Sequence, residues 1–294
     1  MPSPDPGRRK ARLAVAALLL LSAVAYTAWV LEVVLSTGLD PVQAYISELA
    51  AEDQPLGGLF RATDLVAGLA VLAAAVTALV AGARSAARRT ARADGARAGT
   101  GPVGGVGPWL PWAVTGWAAL ALFGVATAAD SRLPLSCAPT SDEMCAARET
   151  AGLVPATHTA HAVTSSLAMV GALTGLIALT VAARRYGWWP PVRRFGPWLL
   201  AGELLATGWS LAAIAAFEAG HGTWSLGAGQ RLQVLLVALW LAVLARSVAR
   251  FEGPAAVHGG TGRHAGQCTG RHPERHVEHD AARGQAGAEG WESR

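Results

Sequence analysis

The chain is predicted to be an all-α polytopic membrane bundle of six transmembrane helices with both termini cytoplasmic. Two observations carry that expectation. Six apolar stretches, over 12–35, 63–81, 108–129, 156–182, 197–217 and 230–248, each approach the ~20 residues needed to cross ~30 Å of hydrocarbon. The arginines fall on alternate connections, and basic residues in short loops stay on the cytoplasmic side during insertion.

The first span follows a cytoplasmic segment, 1–11, that carries Arg8, Arg9 and Lys10. This basic lead and the small-x-small sequence Ala23, Val24, Ala25 imitate a cleavable signal peptide. The apolar run nevertheless continues through Trp29 to Leu35, too long for a signal core, so a retained helix is expected. The first connection holds Asp40, Glu48, Glu52 and Asp53 and is expected to face outward. After span two, residues 82–107 read as a flexible cytoplasmic linker with Arg84, Arg88, Arg89, Arg92 and Arg97. Its GTGPVGGVGP portion is unsuited to a regular element, follows no strand and lacks the Lys and Ser/Thr of a phosphate loop.

The third connection, expected outside, contains Cys137 and Cys145, where thiols oxidise readily. A disulfide is favoured over a thiolate metal pair, because this spacing lacks compact zinc-ligand character. The fourth connection carries Arg184, Arg185, Arg193 and Arg194 inside, and Arg246 and Arg250 follow span six. The outer helix ends hold only Arg61, Arg132, Arg148 and Arg231. Residues 12–250 thus form the membrane domain. The segment 251–294 is rich in Gly, His, Arg and acidic residues and reads as a disordered cytoplasmic tail with a reduced Cys268. Its histidines match no defined metal spacing.

The net charge of +4 is spread over membrane-flanking loops rather than one face of a soluble domain. The expected partners are therefore membrane lipids and not nucleic acid. Tryptophans at the span ends, among them Trp109, Trp112, Trp188 and Trp224, have the same interfacial reading. Lys10 is the sole lysine against many arginines, and Ala, Gly and Val dominate, which points to a GC-rich genome and a bacterial plasma membrane.

Ionisable residues inside spans are costly and gather around cavities or partners. Here they sit at the outer helix ends: Asp64 opens span two, Asp130 closes span three, His158 and His161 open span four, and Glu218 and His221 close span five. His158 and His161 are three apart, so their rings share a helix face and can address one ion or proton, with Asp130 as a carboxylate partner. The simpler reading, that both histidines bond to loop carbonyls at an interfacial helix end, stays open and is preferred. An outer polar cluster of Glu48, Asp64 and Glu218 completes the set. Glu203 lies deeper in span five and needs a buried partner or protonation, and no polar stripe in the sequence joins it to the outer cluster.

The Y-I-S-E-L run at Tyr45, the L-F-R-x-x-D lead into span two at Asp64, A-D-S-R-L-P-L after span three and H-x-x-H at span four resemble the bacterial "domain of unknown function 998" family of six-span membrane proteins. The resemblance covers about 35–248, apart from the arginine-rich second loop, and implies a fold and a membrane location but no activity. A more distant resemblance is to the membrane hydrolases that include alkaline ceramidases, with a serine, an aspartate and three histidines around zinc. It would assign those roles to Ser47, Asp130, His158, His161 and His221. The chain departs from that pattern in its number of spans and in the spacing and placement of its paired histidines.

Three function classes follow. The first is a non-enzymatic membrane protein, a sensor or partner subunit with an ordered outer polar cluster. The second is a zinc-dependent hydrolase of lipid amide or ester bonds at the outer leaflet. Its catalytic candidates are Ser47 and Asp130, and its metal ligands His158, His161, Asp130 and, further off, His221. The third is a small transporter, for which no inverted repeat or Gly/Pro-broken helix pair marks a midplane site.

Overall fold

The computed structural model describes residues 6–97 and 111–250. The tail 251–294, the glycine-rich stretch after residue 97 and the extreme N-terminus lie outside the described residues. The described chain is helical: α1 (Pro6–Tyr26), α2 (Gly57–Arg97), α3 (Pro111–Asp130), α4 (Glu143–Thr150), α5 (Ala156–Arg185), α6 (Pro190–Glu218) and α7 (Leu226–Ala249), with short 3-10 helices over Ala28–Val33 and Ile46–Ala50. Six of these segments are long and apolar enough to cross a membrane, the first running from α1 into the 3-10 turn to Val33.

Each long helix packs on its neighbours in sequence, and α7 returns to α1, so the order α1, α2, α3, α5, α6, α7 closes a ring. The ring has an arginine end, marked by Arg84, Arg184, Arg193 and Arg246, and a disulfide end that carries the bonded pair Cys137–Cys145, Cα atoms 6.0 Å apart. Its middle and arginine end are filled by Leu19, Leu120, Leu176, Leu179, Trp240 and Leu244, all 0% exposed. Transmembrane helices gain little from apolar burial relative to lipid and associate through close packing of small residues. A Cβ on Gly124 of α3 would lie 2.7 Å from the Gly68 carbonyl oxygen and the Leu72 nitrogen of α2. On another face of α3, a Cβ on Gly171 of α5 would lie 2.6 Å from the Phe123 nitrogen. Backbone-to-backbone contact therefore fixes α2, α3 and α5 together. The interface between α5 and α6 is the thinnest around the ring.

The structure corrects the expected linker at 82–107, because α2 continues to Arg97. Its 41 residues would extend about 60 Å, twice a hydrocarbon core. Alanine and arginine are strong helix formers, and a helix beyond the bilayer needs no apolar stripe to persist. Helix α6 likewise starts earlier than expected, with prolines at its first turn, and Pro197 lies inside it. Proline is well suited to N1, where its missing N–H costs nothing. Within the third connection α4 forms, its start capped by the Asp142 side chain, which accepts from the Met144 N–H.

Candidate functional site

The disulfide end encloses a cavity of about 470 Å³. Its walls come from α1, α2, α3, α5, α6 and α7, and its roof from the first and third connections through Tyr45, Ser47, Leu49, Pro134, Leu135 and Pro139.

Two arginines, Arg61 and the buried Arg231, hold the roof. Arg61 of α2 donates from Nη1 to the Ala50 and Ala51 carbonyls at 2.7 and 3.2 Å. Arg231 of α7 donates to the Ala44 carbonyl at 2.9 Å and binds Glu32 through two hydrogen bonds of 2.6 and 2.7 Å. The Gln230 amide oxygen accepts from the Ile46 N–H at 2.9 Å, and the Gln43 and Thr223 side chains are hydrogen-bonded. The two connections are also tied to each other. Glu52 N–H donates to the Leu135 carbonyl at 2.9 Å, while the Glu48 carboxylate accepts from Thr140 N–H at 2.8 Å and Thr140 Oγ1 at 2.5 Å.

Glu48 is 0% exposed, and burial pushes its carboxyl up to about 7, against the opposing pull of the Thr140 bonds. Burial, with Glu218 next in effect, likewise raises the Tyr45 hydroxyl above its ordinary range. Because the Glu48 value lies above the ordinary 4.5, the folded chain binds more protons than the unfolded one between about 4.5 and about 7. Its contribution to stability is therefore fully present at the acid end of that window and is lost as pH rises to about 7. Relative to Glu48→Gln, which stays neutral, the wild-type protein should gain up to about 3 kcal/mol on acidification through the window. Melting of both proteins in detergent from pH 7.5 to pH 4.5, buffer settings of about that range, checks this through the difference between them.

Ser47, Asp64, Asp130, His161 and Glu218 line the cavity. Asp130 is the most heavily bonded: Thr164 Oγ1 donates to it, Ser165 Oγ lies 3.1 Å from both carboxylate oxygens, and His161 Nδ1 is 3.1 Å from Oδ1. The His161 Nδ1 also lies 3.0 Å from the Leu133 carbonyl, which can only accept, so this nitrogen carries a proton. Nε2 is 3.3 Å from Ser165 Oγ. In a serine hydrolase relay the hydroxyl and the carboxylate sit on opposite sides of the imidazole. Here Asp130 meets Nδ1 and Ser165 meets Nε2, but Ser165 also bonds directly to the carboxylate, which closes the three side chains into a compact polar knot that pins α3 to α5.

His158 belongs to the roof. Its Nδ1 accepts from the Ser136 N–H at 3.1 Å, which places the neutral ring's proton on Nε2, 3.3 Å from Glu149 Oε1. The expected metal set of His158, His161 and Asp130 therefore does not assemble. Among the described residues no three His, Cys, Asp or Glu side chains are grouped to hold a metal ion. The third connection supplies each histidine with its own partner, which separates rings that helical spacing alone would align. His221 is exposed beyond the end of α6, so the serine, aspartate and three histidines of the hydrolase resemblance are not brought to one point. Glu48 turns from the cavity toward Thr140. Glu203 is 1% exposed on α6, with neither carboxyl oxygen in hydrogen-bonding geometry, beside a Gln233 whose amide donates to Thr207 Oγ1 at 2.8 Å.

Sequence reasoning missed Glu32, Ser165, Thr140 and Ser136, and treated Arg231 only as a topological marker. Glu32 and Arg231 were findable as opposite charges at the outer margins of the first and last spans, the two that close a ring. Ser165, four residues after His161, shares its helix face. Thr140 and Ser136 depend on loop geometry and leave no periodic signal.

The cavity has a side opening. Ala162 and Ser166 of α5 and Leu211 of α6 line it and are nonetheless exposed, Leu211 by 61%. These residues flank the thin α5–α6 seam. The two helices meet closely nearer the arginine end, where a Cβ on Gly196 would fall 2.6 Å from Thr180 Oγ1.

The family model described as a protein of unknown function, DUF998, matches residues 14–247, a range that includes the first span and the second loop. Neither curated proteins nor solved structures yield a match. A six-span helical ring whose family model extends from the first span to the last belongs to the DUF998 family.

Proposed function

We propose that this protein is a non-enzymatic membrane sensor that takes a small amphiphile from the bilayer into the cavity at its disulfide end. The single observation that carries the reading is the lateral opening between α5 and α6. A roofed cavity of about 470 Å³ with exposed apolar residues at its side suits a ligand that arrives from lipid. The lining mixes aromatic and aliphatic walls with a few fixed polar groups, as pockets for small molecules do. The hydrogen bonds at Asp130, His161 and Ser165 support this reading over a lipid hydrolase, since the serine hydroxyl is shared between the imidazole and the carboxylate and its proton is directed to the latter.

In this reading the arginine end and both termini face the cytoplasm of a bacterium, and the disulfide end faces outward across the plasma membrane. The alternation of arginines supports the orientation, and the disulfide suits an oxidising exterior. In intact cells an impermeant thiol reagent should reach a cysteine substituted at Thr140 and leave one at Gly95 unlabelled. The opposite pattern reverses the topology.

Photolabelling tests the ligand-binding reading. A long-chain alcohol bearing a diazirine, offered to the protein in phosphatidylcholine nanodiscs, should leave adducts on Met169, Leu211 and Ile214 of the cavity wall. Adducts spread evenly over exposed residues elsewhere on the ring, such as Val24, Leu205 and Leu239, would remove the support for it.

A further inference from the structure

The charge of the cavity narrows its ligand. The ionisable side chains that line it are Asp64, Asp130, Glu149 and Glu218 on the acidic side and Arg61 and His161 on the other. Arg61 directs Nη1 to the Ala50 and Ala51 carbonyls of the roof. Asp130 is held by Thr164, Ser165 and His161, and Glu149 by His158. The Asp64 carboxylate has no hydrogen-bond or ion-pair partner among the described residues, and Asp130 is within electrostatic reach of it.

The cavity that this carboxylate lines has aromatic walls. Tyr26, Trp29, Tyr45 and Phe60 line the same cavity, and ring faces attract cations, most strongly where water is excluded. Thr127, one turn before Asp130 on α3, also lines it, is 4% exposed, and has an Oγ1 without a hydrogen-bond partner. A buried hydroxyl left unmatched by the protein is one that a ligand can match. Carboxylate, aromatic rings and an apolar passage to lipid together describe a receptor for an ammonium group with a hydrocarbon tail.

We propose that the cavity binds a lipophilic organic cation, its ammonium head against Asp64 among the aromatic rings and its tail leading out between α5 and α6. The proposal rests on the ligand-binding reading above and adds the sign of the ligand's charge. A fatty acid would bring its carboxylate against the Asp64 and Asp130 carboxyl groups. A neutral alcohol would fill the volume and can donate one hydrogen bond to Asp64, but it brings no counter-charge.

Three probes with one tail separate these cases: tetradecylammonium, tetradecanol and myristate, each competing with the diazirine alcohol for the cavity adduct in phosphatidylcholine nanodiscs. The ammonium should displace the label at a concentration about tenfold below that of the alcohol, with myristate the weakest. Asp64→Asn should erase the advantage of the ammonium over the alcohol, and Asp64→Glu should retain that advantage. If the alcohol, or myristate, competes as well as the ammonium, the charge assignment is overturned while the cavity remains a ligand site. If no probe displaces the adduct, or no cavity adduct forms, the ligand-binding reading fails with it. Where Asp64→Asn does not fold, the ranking of the three probes on the wild-type protein decides alone.

Discussion

Arg231→Ala is expected to destabilise the protein by about 3–5 kcal/mol, the usual result of leaving a buried charge without its partner. The Arg231 and Glu32 side chains are 7% and 4% exposed. The guanidinium meets both carboxylate oxygens and also donates to the Ala44 and Gly227 carbonyls at 2.9 and 3.1 Å. This one side chain therefore joins the end of the first span, the first connection and α7, where the ring closes. Removing it strands the Glu32 carboxylate and the Ala44 carbonyl away from water. The cost lies in that stranding more than in loss of the pair's attraction, so Glu32→Gln combined with Arg231→Met should be milder than Arg231→Ala alone. Arg231→Lys should rescue little, because an ammonium cannot reproduce the two-point bond. Chemical unfolding in detergent, followed by tryptophan fluorescence, gives the comparison.

Gly124→Val should cost about 3 kcal/mol or prevent assembly of the bundle. Atoms added at Gly124 meet the Gly68 carbonyl and the Leu72 backbone nitrogen at 2.7 Å, and neither can move unless α2 and α3 separate. Gly175→Ala is the informative control. There the nearest atom belongs to the Leu120 side chain at 3.3 Å, which can shift, so the effect should be small although both are glycines on packed helices. The ratio of the two melting shifts distinguishes backbone contact from a general need for small residues.

The legible part of this fold was the part governed by the bilayer. Apolar length marks each span, and the basic loops separate the two ends of the ring. The end of α2 was missed because helix 82–97 is sustained by local propensity without an apolar face. The ionisable residues around the cavity were also legible, since charge within a span demands a cavity or a partner. Their exact grouping was not. His158 and His161 share a helical face by spacing, yet Ser136 and Glu149 hold one while Leu133 and Asp130 hold the other. Those partners lie on the third connection and at the end of α3, and no helical period encodes where a connection folds back. The opening between α5 and α6 escaped for a related reason: it is a property of how two helices diverge, and the residues around it are ordinary lipid-facing ones.

The central claim is that the cavity is filled from the bilayer through that opening, and the direct measurement is photolabelling of a variant with the opening blocked. Ser166→Trp places a large ring at the mouth, on an exposed position where it should fold normally. The adduct on Met169 and Ile214 should fall about tenfold relative to adducts on Val24 and Leu205 at the outer surface, which serve as internal standards. A cavity adduct that keeps its wild-type ratio in the blocked variant would contradict lateral loading from the bilayer.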